Sequence, residues 1–433
     1  MTKDAEVVYV ISRNGKPLMP TNSVVARLLL KQGKAKVKHK DPFTIKLLYK
    51  TTEYVQPCTI AEDTGSGTLG SAAVTDAGKV LYLSEVELRN DIKGKMDERR
   101  RYRRCRRGRK VRYRKARFLN RGNSIKKGRF SPTMKSKIDT HEKEIRFIKK
   151  LLPCRDNRLI LETGTFDTQL MQKPWLRNEK VIHWGYQKGQ NYGYANTKAY
   201  VLFRDSYTCQ SCKGKRKDTR LEVHHIIFRS NGGSDEAENL ITLCRTCHTK
   251  VHDGSLTLNL KGKKKGTLAF ATQMNSIRKQ LLLNHPEAIE TFGYVTKENR
   301  QRLGLPKAHC IDAAVAASGG NELTFVTHRV IKKKCIPDGD FQQTKGVHSE
   351  KAIVTGKICG FRKFDKVRYY GQEYFIKGRM STGYAILMDI YGNKIDFSFM
   401  PKGMKTPKLS NCKRISARKT WIITDEPLML NTV

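Results

Sequence analysis

The chain has 433 residues with 85 Lys and Arg against 40 Asp and Glu, a formal net charge of +45 at pH 7, and 38% hydrophobic residues. Such an excess calls for a polyanionic partner, since each phosphate neutralised releases condensed counterions, while the apolar fraction excludes a wholly disordered basic tail. No stretch of about 18 apolar residues occurs and the opening MTKDAEVVYVISRNGKPLMP has neither region of a signal peptide, so a cytoplasmic protein without membrane contact is expected.

Residues 6–12 (EVVYVIS) read as a strand, NGKPLMP as a turn, and NSVVARLLLKQGKAKV as a helix capped by Asn22 or Ser23 and stopped at Gly33. From 54 to 90, Gly-rich and Asp-Ala-Gly turns separate strands expected to be consecutive and antiparallel. Within them, CTIAEDTGSGTLGSAAV satisfies GxGxxG at Gly65, Gly67 and Gly70, but a strand follows instead of a helix. A dinucleotide site needs that helix N-terminus, so the better reading is an acid, Asp63, at a strand end before a tight turn. Glu62 beside it faces the opposite side of the strand.

Residues 99–121 hold 14 Lys or Arg in 23 positions, 12 of them Arg, and no acid. Like charges three and four apart oppose an isolated helix, so the run is expected to order against phosphate. Arg99, Arg100, Arg101, Arg103, Arg104, Arg106, Arg107, Arg109, Arg112, Arg114, Arg117 and Arg121 are the candidate contacts, their bidentate forks suiting phosphate. DTHEKEIRFIKKLLP (139–153) is an amphipathic helix, and RLILETGTF (158–166) a buried strand carrying Glu162. Beyond a polar linker and a Cys/His-rich module, TQMNSIRKQLLLNHP reads as a helix, IETFGYVT as a strand, and KAHCIDAAVAAS as the opening of a helix. From about 321, short strands with Gly and Asn-Gly turns predict a small β-barrel.

Eleven cysteines, an odd number, fit thiolate metal ligation better than a disulfide framework. Cys209 and Cys212, with Cys244 and Cys247, form two CxxC pairs suited to a closed tetrahedral zinc site. The 31 residues between the pairs exceed the usual ribbon spacing. They contain His224 and His225 on the strand LEVHHII, the loop RSNGGSDEAE, and Asn239 before NLITLCRTCHTKVH, read as a helix. Neighbours on a strand face opposite sides, so the two histidines cannot share one job. Cys247 and His248 lie about 100° apart on a helix, so one can face the zinc and the other the strand. His252, one turn on, shares the face of His248.

This pattern of HH, an Asn fourteen residues on, and CxxCH resembles the HNH nuclease motif in its ββα-metal form. The resemblance implies that His225 is a general base, that His224 and His248 hold one Mg²⁺ or Mn²⁺ with His252 as a further ligand, and that Asn239 orients the base or completes the metal shell. TIAEDTGS resembles the first RuvC motif with Asp63 as its acid, LILETGTFDTQ the second with Glu162, and LPKAHCIDAAVA the third with His309 and Asp312. Those acids would hold catalytic metal ions on an RNase H-like mixed sheet. One departure is Ala61-Glu62 where Gly-Ile is usual, which puts a second acid beside Asp63.

The whole arrangement is similar to the IscB family of transposon-encoded RNA-guided nucleases. It implies an α/β multidomain chain: a PLMP module at 1–52, RuvC segments at 53–92, 131–170 and 256–322, an Arg-rich bridge helix at 93–130, a linker at 171–200, an HNH domain with its zinc site at 201–255, and a β-rich region at 323–433 for the target-adjacent motif and guide RNA. The implied partners are a guide (omega) RNA and a double-stranded DNA target, bound by a monomeric protein. Two other readings remain: a protein-only HNH homing or restriction-type nuclease, and a catalytically silent RNA-guided DNA-binding protein.

Overall fold

A computed structural model describes residues 7–108, 130–172, 191–215, 218–262, 268–337, 341–343, 350–352, 356–401 and 403–430. The chain divides into two units, residues 1–164 with 274–433, and residues 165–273.

In the first unit, β1 (Val7–Ile11), β2 (Pro17–Asn22), β3 (Ala35–His39) and β4 (Thr44–Leu47) form a sheet in the order β2-β1-β4-β3. Helix α1 (Ser23–Lys31) packs on it through Ala26, against Val8, Val10 and Ile45. The KPLMP segment, expected as a turn, is instead strand β2, with Leu18 opposite Val10 and Pro17 opposite Ile11. Its prolines are tolerated because β2 is an edge strand, where a missing N–H breaks no ladder on the open side. Asn22 caps α1, its side chain accepting from Val25 N at 2.8 Å.

Among the described residues, the largest sheet has eight strands. In spatial order its strands are Ile289–Phe292, Cys154–Thr163, Cys58–Asp63, Thr68–Thr75, Lys79–Glu87, Arg329–Cys335 and Trp421–Pro427, with Thr324–Phe325 also on Lys79–Glu87. Strands β5 (Cys58–Asp63), β6 (Thr68–Thr75) and β7 (Lys79–Glu87) are consecutive and antiparallel, as their turns predict. Strand β8 (Cys154–Thr163) runs parallel to β5, and β11 (Ile289–Phe292) parallel to β8. The helix read from 139 begins earlier: α3 (Pro132–Leu151) starts at a Ser131 cap followed by proline. Between β7 and α3 lies α2 (Ile92–Gly108), which carries the basic positions 99–107. Arg109, Arg112, Arg114, Arg117 and Arg121 lie outside the described residues.

Alternation along β5 divides the sheet's two faces. Ile60 joins a core with Ile138, Ile145 and Ile148 of α3 and with Met274, Ile277 and Leu281 of α7 (Ala269–Asn284). Ala61 joins the other core, with Ile311, Ala314 and Val315 of α9 (His309–Ala317). Glu62 therefore points toward α3 and Asp63 toward α9. The segment IETFGYVT, read as one strand, ends as β11 at Phe292 and continues as helix α8 (Gly293–Arg302).

Two further expectations change beyond residue 323. Strands β12 (Thr324–Phe325) and β13 (Arg329–Cys335) run parallel to β7, and β20 (Trp421–Pro427) pairs antiparallel with β13, so part of that region completes the large sheet. Among the described residues the expected barrel is not closed: β16 (Lys366–Tyr369), β17 (Gln372–Arg379), β18 (Ala385–Met388) and β19 (Lys413–Ser416) form an antiparallel sheet in the order β18-β17-β16-β19. Its core is Val367, Tyr369, Ile376, Leu387 and Phe397. Strands β14 (Phe341–Gln343) and β15 (Glu350–Ala352) make a separate pair.

The second unit contains α4 (Thr168–Gln172), α5 (Thr197–Arg204), β9 (Leu221–His225), β10 (Leu240–Cys244) and α6 (Arg245–His252). Strands β9 and β10 are antiparallel, with Leu240 opposite His225 and Cys244 opposite Leu221. Leu240 to Cys244 were read as helix, but all five are buried, and pairing with β9 satisfies their backbone. The helix starts only at Arg245. Among the described residues, no helix is long and apolar enough to cross a membrane.

Candidate functional site

The four thiols come first, because they shape the second unit. Sulfur atoms of Cys209, Cys212, Cys244 and Cys247 all lie within 4.8 Å of one another, and Cys212 and Cys244 Sγ are 3.9 Å apart. Burial pushes the Cys244 thiol up to about 12. A soft divalent cation at the centre of such a set removes the protons and ties α6 and β10 to the 209–212 turn, the chemistry of a structural zinc site.

A second set of ligands uses the other side of the same helix. His224, 3% exposed on β9, meets His248 and His252 of α6 with ring centroids 4.9 and 5.0 Å away, and those two are 4.6 Å apart. Ligand nitrogens of all three lie within 4.8 Å of one another. His224 Nε2 is buried and makes no hydrogen bond. Burial first, then the neighbouring His248 and His252, hold His224 down at about 4, so its lone pair is available at neutral pH. Glu222 Oε2 takes His248 Nδ1 at 3.1 Å, fixing that ring and leaving Nε2 for an ion. A buried, unpartnered nitrogen among three imidazoles fits a divalent metal.

His225 faces the opposite side, as strand alternation requires. Its Nε2 lies 2.9 Å from Asp235 Oδ1, and Arg229 Nε donates to the same oxygen at 2.7 Å. The carboxylate accepts, so Nε2 carries the proton and a neutral ring keeps its lone pair on Nδ1. Asn239 is fully buried. Its Oδ1 accepts from Ile227 N at 3.0 Å, and its Nδ2 donates to Ile227 O and Ser234 O at 3.0 and 2.8 Å. That amide braces the loop carrying Asp235; the ligand cluster itself consists of the three histidines.

The acids of the first unit lie on three elements. Asp63, at the end of β5, is in register with Glu162 on parallel β8, and Thr64 donates to Glu162 O through both N (3.1 Å) and Oγ1 (2.7 Å). His309 Nδ1 lies 2.6 Å from Asp63 Oδ2, and Arg300 Nε 2.7 Å from Asp312 Oδ1. The last glycine of the GxGxxG look-alike explains how α9 comes so near: a Cβ on Gly70 would sit 2.1 Å from the His309 carbonyl. Burial, then the charge of Asp63, pushes Glu162 up to about 8 and Asp312 in the same direction, whereas the bond to Asp63 raises His309. Glu162 Oε2 is buried without a hydrogen bond. Carboxylates crowded so that they resist ionisation fit a cation. With His309 and Arg300 as counter-charges, their oxygens do not gather within 4.8 Å as the thiols and imidazoles do.

Glu62 is not part of this centre. It is fully buried on the α3 side, 3.0 Å from His141 Nδ1, while His141 Nε2 lies 3.1 Å from Gly65 O. Sequence reasoning missed Glu222, Asp235, Arg229 and His141. The first three had a weak local signal, each a charged residue within ten positions of the histidine pair; His141 had none.

Residues 209–254 match the HNH endonuclease family model and residues 8–189 the RRXRR protein model. Anaredoxin from Nostoc sp. is 35% identical over 69 residues, 16% of this chain and 88% of that protein. The type IV methyl-directed restriction enzyme EcoKMcrA from Escherichia coli is 37% identical over 62 residues, 13% of this chain and only 22% of that enzyme. Among solved structures, Streptococcus thermophilus Cas9 in complex with the AGAA PAM aligns at 12% identity and a TM-score of 0.30, over 57% of this chain and 32% of that one. The second unit is thus the HNH module of a metal-dependent endonuclease. An RRXRR segment followed by an HNH module is the IscB-type arrangement, and the chain carries both in that order.

Proposed function

We propose that the protein is an RNA-guided DNA endonuclease whose HNH centre cuts the guide-paired strand and whose RuvC-like centre cuts the displaced strand. The observation that carries the proposal is the coexistence, in an IscB-like chain, of the histidine constellation in one unit with Asp63, Glu162, His309 and Asp312 in the other. In the HNH centre, His225 Nδ1 takes the proton from a water, with Asp235 fixing the ring's tautomer and Asn239 bracing the loop. His224, His248 and His252 would hold a divalent ion, which supplies Lewis-acid stabilisation to the scissile phosphate. In the RuvC-like centre, Asp63, Glu162 and Asp312 would hold Mg²⁺ or Mn²⁺ on an RNase H-like sheet, and His309 places a proton-carrying ring beside Asp63.

The Arg-rich α2 is suited to lie along guide and heteroduplex phosphates, and the C-terminal sheet is our candidate for contacts with the target-adjacent motif and guide RNA. The test is RNA dependence. The purified protein is expected to carry a defined RNA, to lose duplex cleavage on ribonuclease treatment, and to regain it when that RNA is added back. Undiminished cleavage at the same sites after complete RNA removal would instead favour a protein-only HNH nuclease.

A further inference from the structure

The carboxylate centre has a neighbour that its chemistry does not use. Strand β11 lies parallel to β8 with Thr291 opposite Glu162, and the chain then turns into α8 at Gly293. The approach is close enough that a Cβ on Gly293 would lie 3.1 Å from Glu162 Oε1. Tyr294 follows, and standard backbone dimensions place its Cα within roughly 8 Å of that carboxylate. Its side chain is 72% exposed, and its ring lies nearly parallel to that of Phe292, 7° between planes and 6.1 Å between centroids. Lys297, also exposed, is three residues on and shares Tyr294's face of the helix.

A single exposed aromatic needs no explanation. This one is doubled by a parallel ring, is held beside an acidic centre by a glycine, and has a cation one turn away. We propose that Tyr294, backed by Phe292, is a stacking platform for an unpaired base of the single DNA strand entering the carboxylate centre, with Lys297 meeting the adjoining phosphate. The proposal rests on the RuvC-like reading of that centre. Stacking is sequence-tolerant because every base has a π-face. A base inside a duplex has both faces covered by its neighbours, so the platform favours a displaced strand over a paired one.

The test uses the ribonucleoprotein purified with its own RNA and a duplex matching that RNA, each strand separately labelled. Tyr294→Ala and Tyr294→Leu are expected to slow displaced-strand nicking by about tenfold or more, and Tyr294→Phe to stay near wild type. Paired-strand nicking should change by less than roughly twofold in all three. An abasic site at one position beside the displaced-strand cut should reproduce the loss, without adding to that of Tyr294→Ala. Wild-type displaced-strand nicking by Tyr294→Ala, while Asp63→Ala abolishes it, would overturn the platform and leave the RuvC-like reading standing. Displaced-strand nicking that survives Asp63→Ala would overturn both. Equal slowing of both strands, or a Leu variant as active as Phe, would assign Tyr294 a structural role instead.

Discussion

Glu62 stands one residue before Asp63, yet strand alternation sends it into a different environment. His141 Nε2 faces a backbone carbonyl and must carry a proton, so the bond between Nδ1 and Glu62 shares one further proton between two fully buried groups. Removing Glu62 leaves the buried Nδ1 of His141 without a partner, although Nε2 keeps Gly65 O. Glu62→Ala is therefore expected to cost about 3–5 kcal/mol in denaturant unfolding, and Glu62→Ile combined with His141→Leu to recover most of that. A neutral Glu62→Ala would show that the pair is dispensable. Glu162 makes a different prediction, because burial and Asp63 hold it up at about 8. A carboxyl whose folded pKa exceeds its unfolded value contributes stability that is complete below the unfolded pKa and lost as pH rises through the folded one. Metal-free protein is thus expected to lose stability as pH rises from about 5 to about 8, and Mn²⁺ to suppress the loss. Thermal unfolding across that window, with and without the ion, checks both statements, and a metal-free melting temperature that rises with pH contradicts them.

Helix α6 presents Cys247 on one side and His248 and His252 on another, so one short element carries members of both candidate ligand sets. Chelation of the thiol-bound cation is expected to loosen β10 and α6, seen as new protease cuts between 205 and 255, and to stop paired-strand cleavage while the first unit keeps its melting transition. An uncut, active HNH unit after verified metal loss would refute a structural role for the cluster. The all-imidazole set also favours borderline transition ions over Mg²⁺. Paired-strand cleavage is expected to reach half-maximum at about tenfold lower Mn²⁺ than Mg²⁺, with His252→Ala needing more of either ion; equal requirements would count against a three-histidine site.

Short elements were also where sequence reading was weakest. Leu240 to Cys244 is an apolar run whose pattern suits a strand or a buried helix, and only the pairing with β9 decides it. IETFGYVT holds both a strand and a helix start, and the change falls at Gly293, where the chain passes close to Glu162, a residue far away in sequence. KPLMP, with two prolines, has the local pattern of a turn, and only the edge position of β2 admits it as a strand. By contrast, the histidine pair, the CxxC spacing and the acid at the end of β5 were legible, since each depends on local period or spacing. Asp235 and His141 were not, because a loop and a helix bring them to partners that no local pattern names.

At the scale of the whole chain, the HNH unit is inserted between β8 and β11, two parallel neighbours in the large sheet, so each centre keeps its own scaffold while the chain carries both. The net charge of +45 fits the proposed binding of a guide RNA together with a DNA target. Central to the proposed function is a division of labour between two metal-dependent centres. Its most direct test is strand-resolved cleavage of a guide-matched duplex by His225→Ala, Asp63→Ala and the double variant. His225→Ala is expected to nick only the displaced strand, Asp63→Ala only the paired strand, and the double variant to bind without cutting. Cleavage of both strands by either single variant would contradict it.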